Sequence, residues 1–165
     1  MAIGEVVGEV GVGNGWKLVF DEPMLVDAVE GFDELNFSNA DLFVLPNVVP
    51  VEPDITDEWL RDWHHQASAT AVEKGAATQD LGRIDGDGWS GSMSYGTLDD
   101  GAEHILVGYL AGSQAILHLT VRFRDPPLIG TARRLIGAVR HDAAGAADMD
   151  RALAVAETVY RLREE

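Results

Sequence analysis

Residues 88–124 constrain the fold of this chain more than any other stretch. They read as three consecutive strands, 88–97, 103–111 and 114–124, joined by two tight turns. Asp100-Gly101 suits a two-residue type I′ hairpin loop, which needs positive φ at both central positions, and Gly112-Ser113 suits a two-residue loop of type II′. With those turns the strands pair antiparallel. Tyr95 then lies opposite Leu106, Met93 opposite Gly108, Leu106 opposite Leu119 and Tyr109 opposite Ile116.

Side chains alternate between the faces of a strand. One face of this meander carries Trp89, Met93, Tyr95, Leu106, Leu110, Leu117, Leu119, Val121 and Phe123, a continuous apolar surface. A slip of one residue at the first turn would carry Trp89, Met93 and Tyr95 away from the leucines. The other face is mixed. Ser90, Ser92, Ser94 and Gly96 stand beside Ile105, Val107 and Tyr109, and Ile116, His118, Thr120 and Arg122 complete it. Its small first strand lets a helix of the same chain, or a partner, come close.

A chain of 165 residues suits one domain over 1–165. That length buries roughly 68–70% of the unfolded surface, so folding needs neither disulfide nor metal. There is no cysteine, which removes disulfides, thiolate metal sites and cysteine nucleophiles. The formal net charge of −16 disfavours nucleic acid and anionic membranes, both of which need cationic surface. Lys17 and Lys74 are the only lysines; arginine supplies the other cations. A high-GC genome accounts for that bias, and so does adaptation to high salt. The opening residues show no basic and apolar leader pattern, and no run of 18 apolar residues spans a membrane. A cytoplasmic location is expected.

Residues 4–20 read as a glycine-rich hairpin about Gly13-Asn14-Gly15. Gly8, Gly11, Gly13 and Gly15 do not make a phosphate loop, because no GxxxxGK[ST] and no following helix accompany them. An acidic loop is expected over 21–31, and short strands over 32–37 and 42–48. Pro46, Pro50 and Pro53 then break the chain. A helix follows over 54–74, capped by Thr56 or Asp54 and ended by Gly75. Trp59, Leu60, Trp63, Ala67 and Ala71 form its apolar stripe. The sheet resumes at 79–84. Asp125-Pro126-Pro127 opens a second helix, with Leu128, Ile129, Ala132, Leu135, Ile136 and Val139 on one side. A last helix is expected over 148–163, with Met149, Ala152, Leu153, Ala156, Val159 and Tyr160 as its stripe. It either covers the open sheet face or makes a homodimer.

Several segments in this order carry a resemblance. They are Gly15-Trp16-Lys17-Leu18, Leu42-Phe43-Val44 with the proline-rich link, Thr56-Asp57-Glu58-Trp59-Leu60 and Asp87-Gly88-Trp89-Ser90-Gly91, then the meander and 132–139. Over about residues 5–141 the chain resembles the Mog/PsbP-like fold. That resemblance implies an α+β chain built as an α/β/α sandwich, with a central antiparallel sheet and helices on both faces, here with an extra C-terminal helix. It also implies a non-enzymatic binding role. Members bind a small GTPase in nuclear import or assist photosystem II, and bacterial relatives include lipoproteins and chaperones for type VI secretion effectors. The chain departs from the exported members in showing no export signal. No residue motif of the family is matched, so no functional residue is carried over.

The expected function is therefore a protein-binding module, a chaperone or adaptor for a secreted or assembling partner, with no cofactor and no metal. Its candidate site is the mixed face: Ser90, Ser92, Ser94, Tyr109 and His118. The alternative is a small hydrolase-like enzyme using His118 or the His64-His65 pair. Neither histidine set is well placed for it. Ser94 and His118 both lie opposite Val107 in the expected register. Two strand spacings, about 9.6 Å, then separate them, against the roughly 2.6–3.2 Å of a nucleophile–base contact. His64 and His65 read as part of a solvated helix face, and Asp62 with His65 makes two metal ligands without a third. Trp59 and Trp63 read as core. Glu103 and Arg122 read as a surface ion pair between strands.

Overall fold

Asn14 and Gly15, at φ 51° and 81°, fold β1 (Ala2–Gly13) back on β2 (Trp16–Ala28). The computed structural model describes residues 2–28, 35–49 and 51–143. Further elements are β3 (Leu35–Ser38), β4 (Leu42–Val49), α1 (Asp57–Glu73), β5 (Gln79–Gly86), β6 (Trp89–Leu98), β7 (Glu103–Gly112), β8 (Ala115–Phe123), α2 (Ile129–Gly137) and β9 (Arg140–His141). The architecture is α+β: a large antiparallel sheet of nine strands with two helices among the described residues. The strand order is β1-β2-β3-β4-β8-β7-β6-β5, with β9 beside β2. The meander sits inside this order, flanked by β4 and β5.

The apolar face of the meander is the core. Met93, Leu106, Leu110, Leu117, Leu119 and Val121 are buried with Val10, Trp16, Leu18 and Phe20 of the first hairpin. Ala132 and Ile136 of α2 join the same cluster. Gly108 leaves room for that helix: a Cβ there would lie 3.1 Å from Ile136 Cγ2. β9 links distant parts of the sheet. It pairs with Trp16 and Lys17 of β2, and His141 N donates to Asp87 O at the β5–β6 turn.

The first hairpin of the meander has the expected register, Tyr95 opposite Leu106 and Met93 opposite Gly108. Asp100 and Gly101 both take positive φ, 55° and 89°. The second hairpin differs. Its loop is Ser113-Gln114, Gly112 pairs with Ala115, and Leu106 faces Val121 while Tyr109 faces His118. The slip is two residues, so every side chain keeps its face. The loop is held by α1: the Gln114 amide N–H donates to Asp57 Oδ1 at 3.0 Å, and Gln114 Nε2 to Ile55 O at 2.6 Å.

Other expectations need correction. The acidic stretch 21–28 is strand, not loop. Met24 and Val26 point into the core while Asp21, Glu22 and Pro23 bulge outward between the pairs Phe20–Gly8 and Met24–Val6. Such a bulge accommodates a proline. Pro46 does not break the chain; it is buried inside β4, opposite Leu119. Among the described residues β3 pairs with β4 at Phe43 and Val44 and not at Pro46, and a strand position that gives no ladder bond on one side accommodates proline. The strand expected over 32–37 is Leu35–Ser38, its first residues lying outside those described. The second helix opens as a short 3-10 turn, Pro126–Leu128, before α2. The helix expected over 148–163 lies outside the described residues.

Thr56 caps α1, its Oγ1 accepting from Trp59 N at 3.1 Å. The face the helix turns inward shares Leu60 with its apolar stripe but is rotated towards His64 and Ser68. Leu60, His64 and Ser68 are buried, whereas Trp59 is 50% exposed.

Candidate functional site

The mixed face of the meander lies partly under α1. Ser92 and Ser94 are each 1% exposed and Tyr109 is 8% exposed. The helix of the chain itself thus occupies the place expected for a partner over these three residues. Ser90 and His118 are half-buried at the margins. Ser94 Oγ lies 3.3 Å from Tyr109 Oη. The Tyr109 ring takes Trp63 edge-on at 6.2 Å and lies 5.2 Å from His118, centroid to centroid. His118 is opposite Tyr109 and Ser94 opposite Val107, so Tyr109 joins the two in place of a nucleophile–base contact. Burial pushes the His118 imidazole below its ordinary pKa.

The structure also makes a cluster that hydrophobic patterning hides. His64 Nδ1 lies 2.8 Å from Ser92 Oγ, and His65 Nδ1 lies 3.2 Å from the same oxygen. One turn on, Ser68 Oγ lies 2.8 Å from Asp80 Oδ1 and 3.1 Å from Met93 O. His64 is not part of a solvated face; it is 1% exposed. Burial, then the neighbouring His65 and Arg83, lowers its pKa to about 4, so it is neutral at pH 7. Ser92 and His64 have the spacing of a nucleophile and its base, but both are closed off by α1. The alternating serines of β6 were the signal: they leave space and hydroxyls for polar side chains on a covering helix. Among the described residues no group of three or more His, Asp or Glu side chains could hold a metal ion.

Away from α1 the same face continues over β8 and β4. Its cross-strand rows are Asn47–His118–Tyr109, Leu45–Thr120–Val107 and Phe43–Arg122–Ile105. Except for Tyr109 these side chains are half-buried. Arg122 lies over the Phe43 ring at 5.7 Å and donates from Nε to Glu103 Oε1. That bond holds the Glu103 carboxyl below its ordinary pKa and raises Arg122. The strip runs into a cleft of about 440 Å³ lined by Asn39, Asp41, Phe43, Arg122 and Arg124 among others.

No family model and no curated sequence matches the chain. Solved structures do. The solution structure of cyanobacterial PsbP (CyanoP) from Synechocystis sp. PCC 6803 superposes with TM-score 0.58 at 10% identity, covering 86% of this chain and 95% of that chain. The fold is PsbP-like. A crystal structure from Bacteroides thetaiotaomicron VPI-5482 superposes with TM-score 0.52 at 8% identity, covering 88% of this chain and half of that chain. At these identities the likeness is one of fold alone.

Proposed function

We propose that this PsbP-like chain is a non-catalytic protein-binding module, a chaperone or adaptor that works in the cytoplasm and takes a segment of another protein. The observation that carries the reading is the strip from His118 through Thr120 and Leu45 to the cleft at Phe43 and Arg122. It joins apolar side chains, hydrogen-bonding groups and an arginine on a rigid sheet, the mixture that protein interfaces use. Of the five candidate residues, His118 lies on this strip, while Ser92, Ser94 and Tyr109 support it from beneath α1. The finer architecture belongs to the same proposal: an α/β/α sandwich in which α1 and α2 lie on opposite faces and α1 leaves the β8–β4 side to the partner. The buried Ser92–His64 contact supports the non-catalytic reading, since no substrate reaches it while α1 is in place.

A photo-crosslinking amino acid at position 120, compared with one at exposed Glu52, tests this in lysate of the native host. Position 120 should capture a discrete protein that position 52 does not, and Phe43→Asp should abolish the capture. Equal capture at both positions, or capture indifferent to Phe43→Asp, overturns the reading. Capture of a second copy alone assigns the strip to a homodimer instead.

A further inference from the structure

The contact between α1 and the sheet is unlike the rest of the interior. The main core joins β1, β2, β3, β4, β6, β7, β8 and α2 and contains no residue of α1. Leu60 of α1 belongs to a separate small cluster with Ala111 and Ile116, against which Trp63 of the helix and Val49, Val51 and Ile55 pack half-buried. The other two buried side chains of the helix, His64 and Ser68, are polar and meet Ser92, Asp80 and Met93 O. Elements held by few apolar contacts open independently of a core.

The hydrogen bonds at Ser92 require one imidazole to be neutral, the one that accepts from its hydroxyl. Its hydroxyl has one proton and two acceptor positions. It donates to one of the two Nδ1 atoms, and the other imidazole must present an Nδ1–H. A further proton turns the accepting ring into a donor. Ser92 then receives two N–H groups, and its own O–H loses its acceptor. The new charge sits in the interior with the second imidazole 4.0 Å away, centroid to centroid.

The surrounding groups do not compensate. Those that act on His64 are Asp62 and His65 on α1 and Arg83 and Asp85 on β5; one turn on, Asp80 of β5 meets Ser68, and Tyr109 of β7 and His118 of β8 lie on the same sheet face. Asp80 accepts from Gly82 N and lies within hydrogen-bond distance of Ser68, Asp85 accepts from Arg83, and Asp62 is exposed. Among the described residues no carboxylate is within hydrogen-bond distance of His64.

We propose that α1 is an acid-released cover: protonation at His64 undocks the helix from β5, β6 and β7 while the sheet and its core remain folded. Release uncovers Ser92, Ser94, Ala111 and Ile116, a mixed surface continuous with the half-buried strip on β8 and β4. Gly75, at φ 77°, is the swivel at the end of the helix.

Hydrogen exchange on the full chain, read by NMR between pH 7 and pH 4 and corrected for intrinsic rates, tests this. On acidification the amides of 60–73 should lose protection at least tenfold while those of β7 and β8 keep theirs. The midpoint should coincide with titration of the His64 imidazole. His64→Gln, which keeps a partner for Ser92 but does not titrate, should leave α1 protected throughout. Joint loss of protection in α1, β7 and β8 overturns the proposal. So does the same α1 loss in His64→Gln, or titration of His64 with α1 still protected. The imidazole titration and exchange of the unmodified chain decide the matter even where the variant does not fold.

Discussion

Gly112 lies against the ring of His141: a Cβ at position 112 would stand 2.5 Å from Nδ1 and 2.8 Å from Cγ. This glycine is fixed by a residue 29 positions away, not by the hairpin it adjoins. His141 packs on Trp16 with ring centroids 4.4 Å apart, and its Nε2 lies 2.9 Å from Asn14 O. Gly15 and Gly88 give room from two other sides: a Cβ on either would fall 2.2 Å from the carbonyl oxygen of Asp142 or His141.

Gly112→Ala should therefore destabilise the fold by about 1–3 kcal/mol, the usual cost of overpacking a filled site. Gly11 is the control. It lies in the same sheet with nothing within 4 Å of its Cβ position and without positive φ. Gly11→Ala should change stability by no more than about 0.5 kcal/mol. Urea denaturation of the two variants measures the difference, and equal effects would remove His141 as the reason for Gly112.

Part of this was legible in the residues. Asp100-Gly101 announced its turn because positive φ is a local property, and alternation of side chains placed the apolar face correctly. Gly112 misled because its use is tertiary, which is why the second register slipped by two. The candidate residues were placed on the right face, but not their cover. The stripe expected for α1 is Trp59, Leu60, Trp63, Ala67 and Ala71; of these Leu60 is buried, Trp63, Ala67 and Ala71 are half-buried and Trp59 is exposed, while His64 and Ser68 are the other buried positions. One residue along a helix is a rotation of about 100°; the stripe and the buried face share Leu60, so they differ by less than that, and hydrogen bonds to Ser92 and Asp80 set the difference. Hydrophobic patterning does not record them. Pro46 and the acids 21–22 differ from expectation for a related reason: their places depend on the strand pairing around Pro46 and on a bulged β2.

The cap of α1 gives a local test. Thr56 Oγ1 satisfies one of the free amides of the first turn. Thr56→Ala should cost about 1 kcal/mol, felt in α1 before the core, while Thr56→Ser should cost little. Hydrogen exchange of 59–73 against β8 reports it. Equal protection in Thr56→Ala and the unmodified chain would show that the cap is dispensable.

Acid should destabilise the protein in a definite window. His64, His118 and His141 all have folded pKa values below the ordinary 6.5, in each case chiefly through burial. Between the folded and unfolded values the unfolded chain binds more protons, so stability rises with pH and is lost on acidification. The contribution is fully present above about pH 6.5 and is lost as pH drops through the folded values. For His64 the fall from 6.5 to about 4 corresponds to roughly 3 kcal/mol at most. Asp57, lowered chiefly by the Gln114 amide, extends the loss below its ordinary value of 3.8. Urea midpoints at pH 7, 5.5 and 4 should decline in that order. A midpoint constant over this range would mean that these histidines charge freely in the folded state.

Salt acts on a different property, the net charge of −16. So many acids on a small surface repel one another and oppose compaction. Among the described residues, ion pairs join Lys17 and Arg140 with Glu9, Arg140 with Asp87, Arg83 with Asp85 and Arg122 with Glu103. The screening length falls from about 30 Å at 0.01 M to about 3 Å at 1 M. The melting temperature should therefore rise with KCl over that range, most steeply at low salt, where screening changes most for charges a Debye length apart. Asp21, Glu22 and Glu73 are exposed and belong to none of these pairs. Changing them to Asn, Gln and Gln should raise the melting temperature at low salt and flatten its dependence on KCl. Calorimetry of both proteins across the series provides the measurement. A flat curve for the unmodified chain would show that self-repulsion is not what limits its stability, and would leave genome composition as the simpler source of the arginine-over-lysine bias.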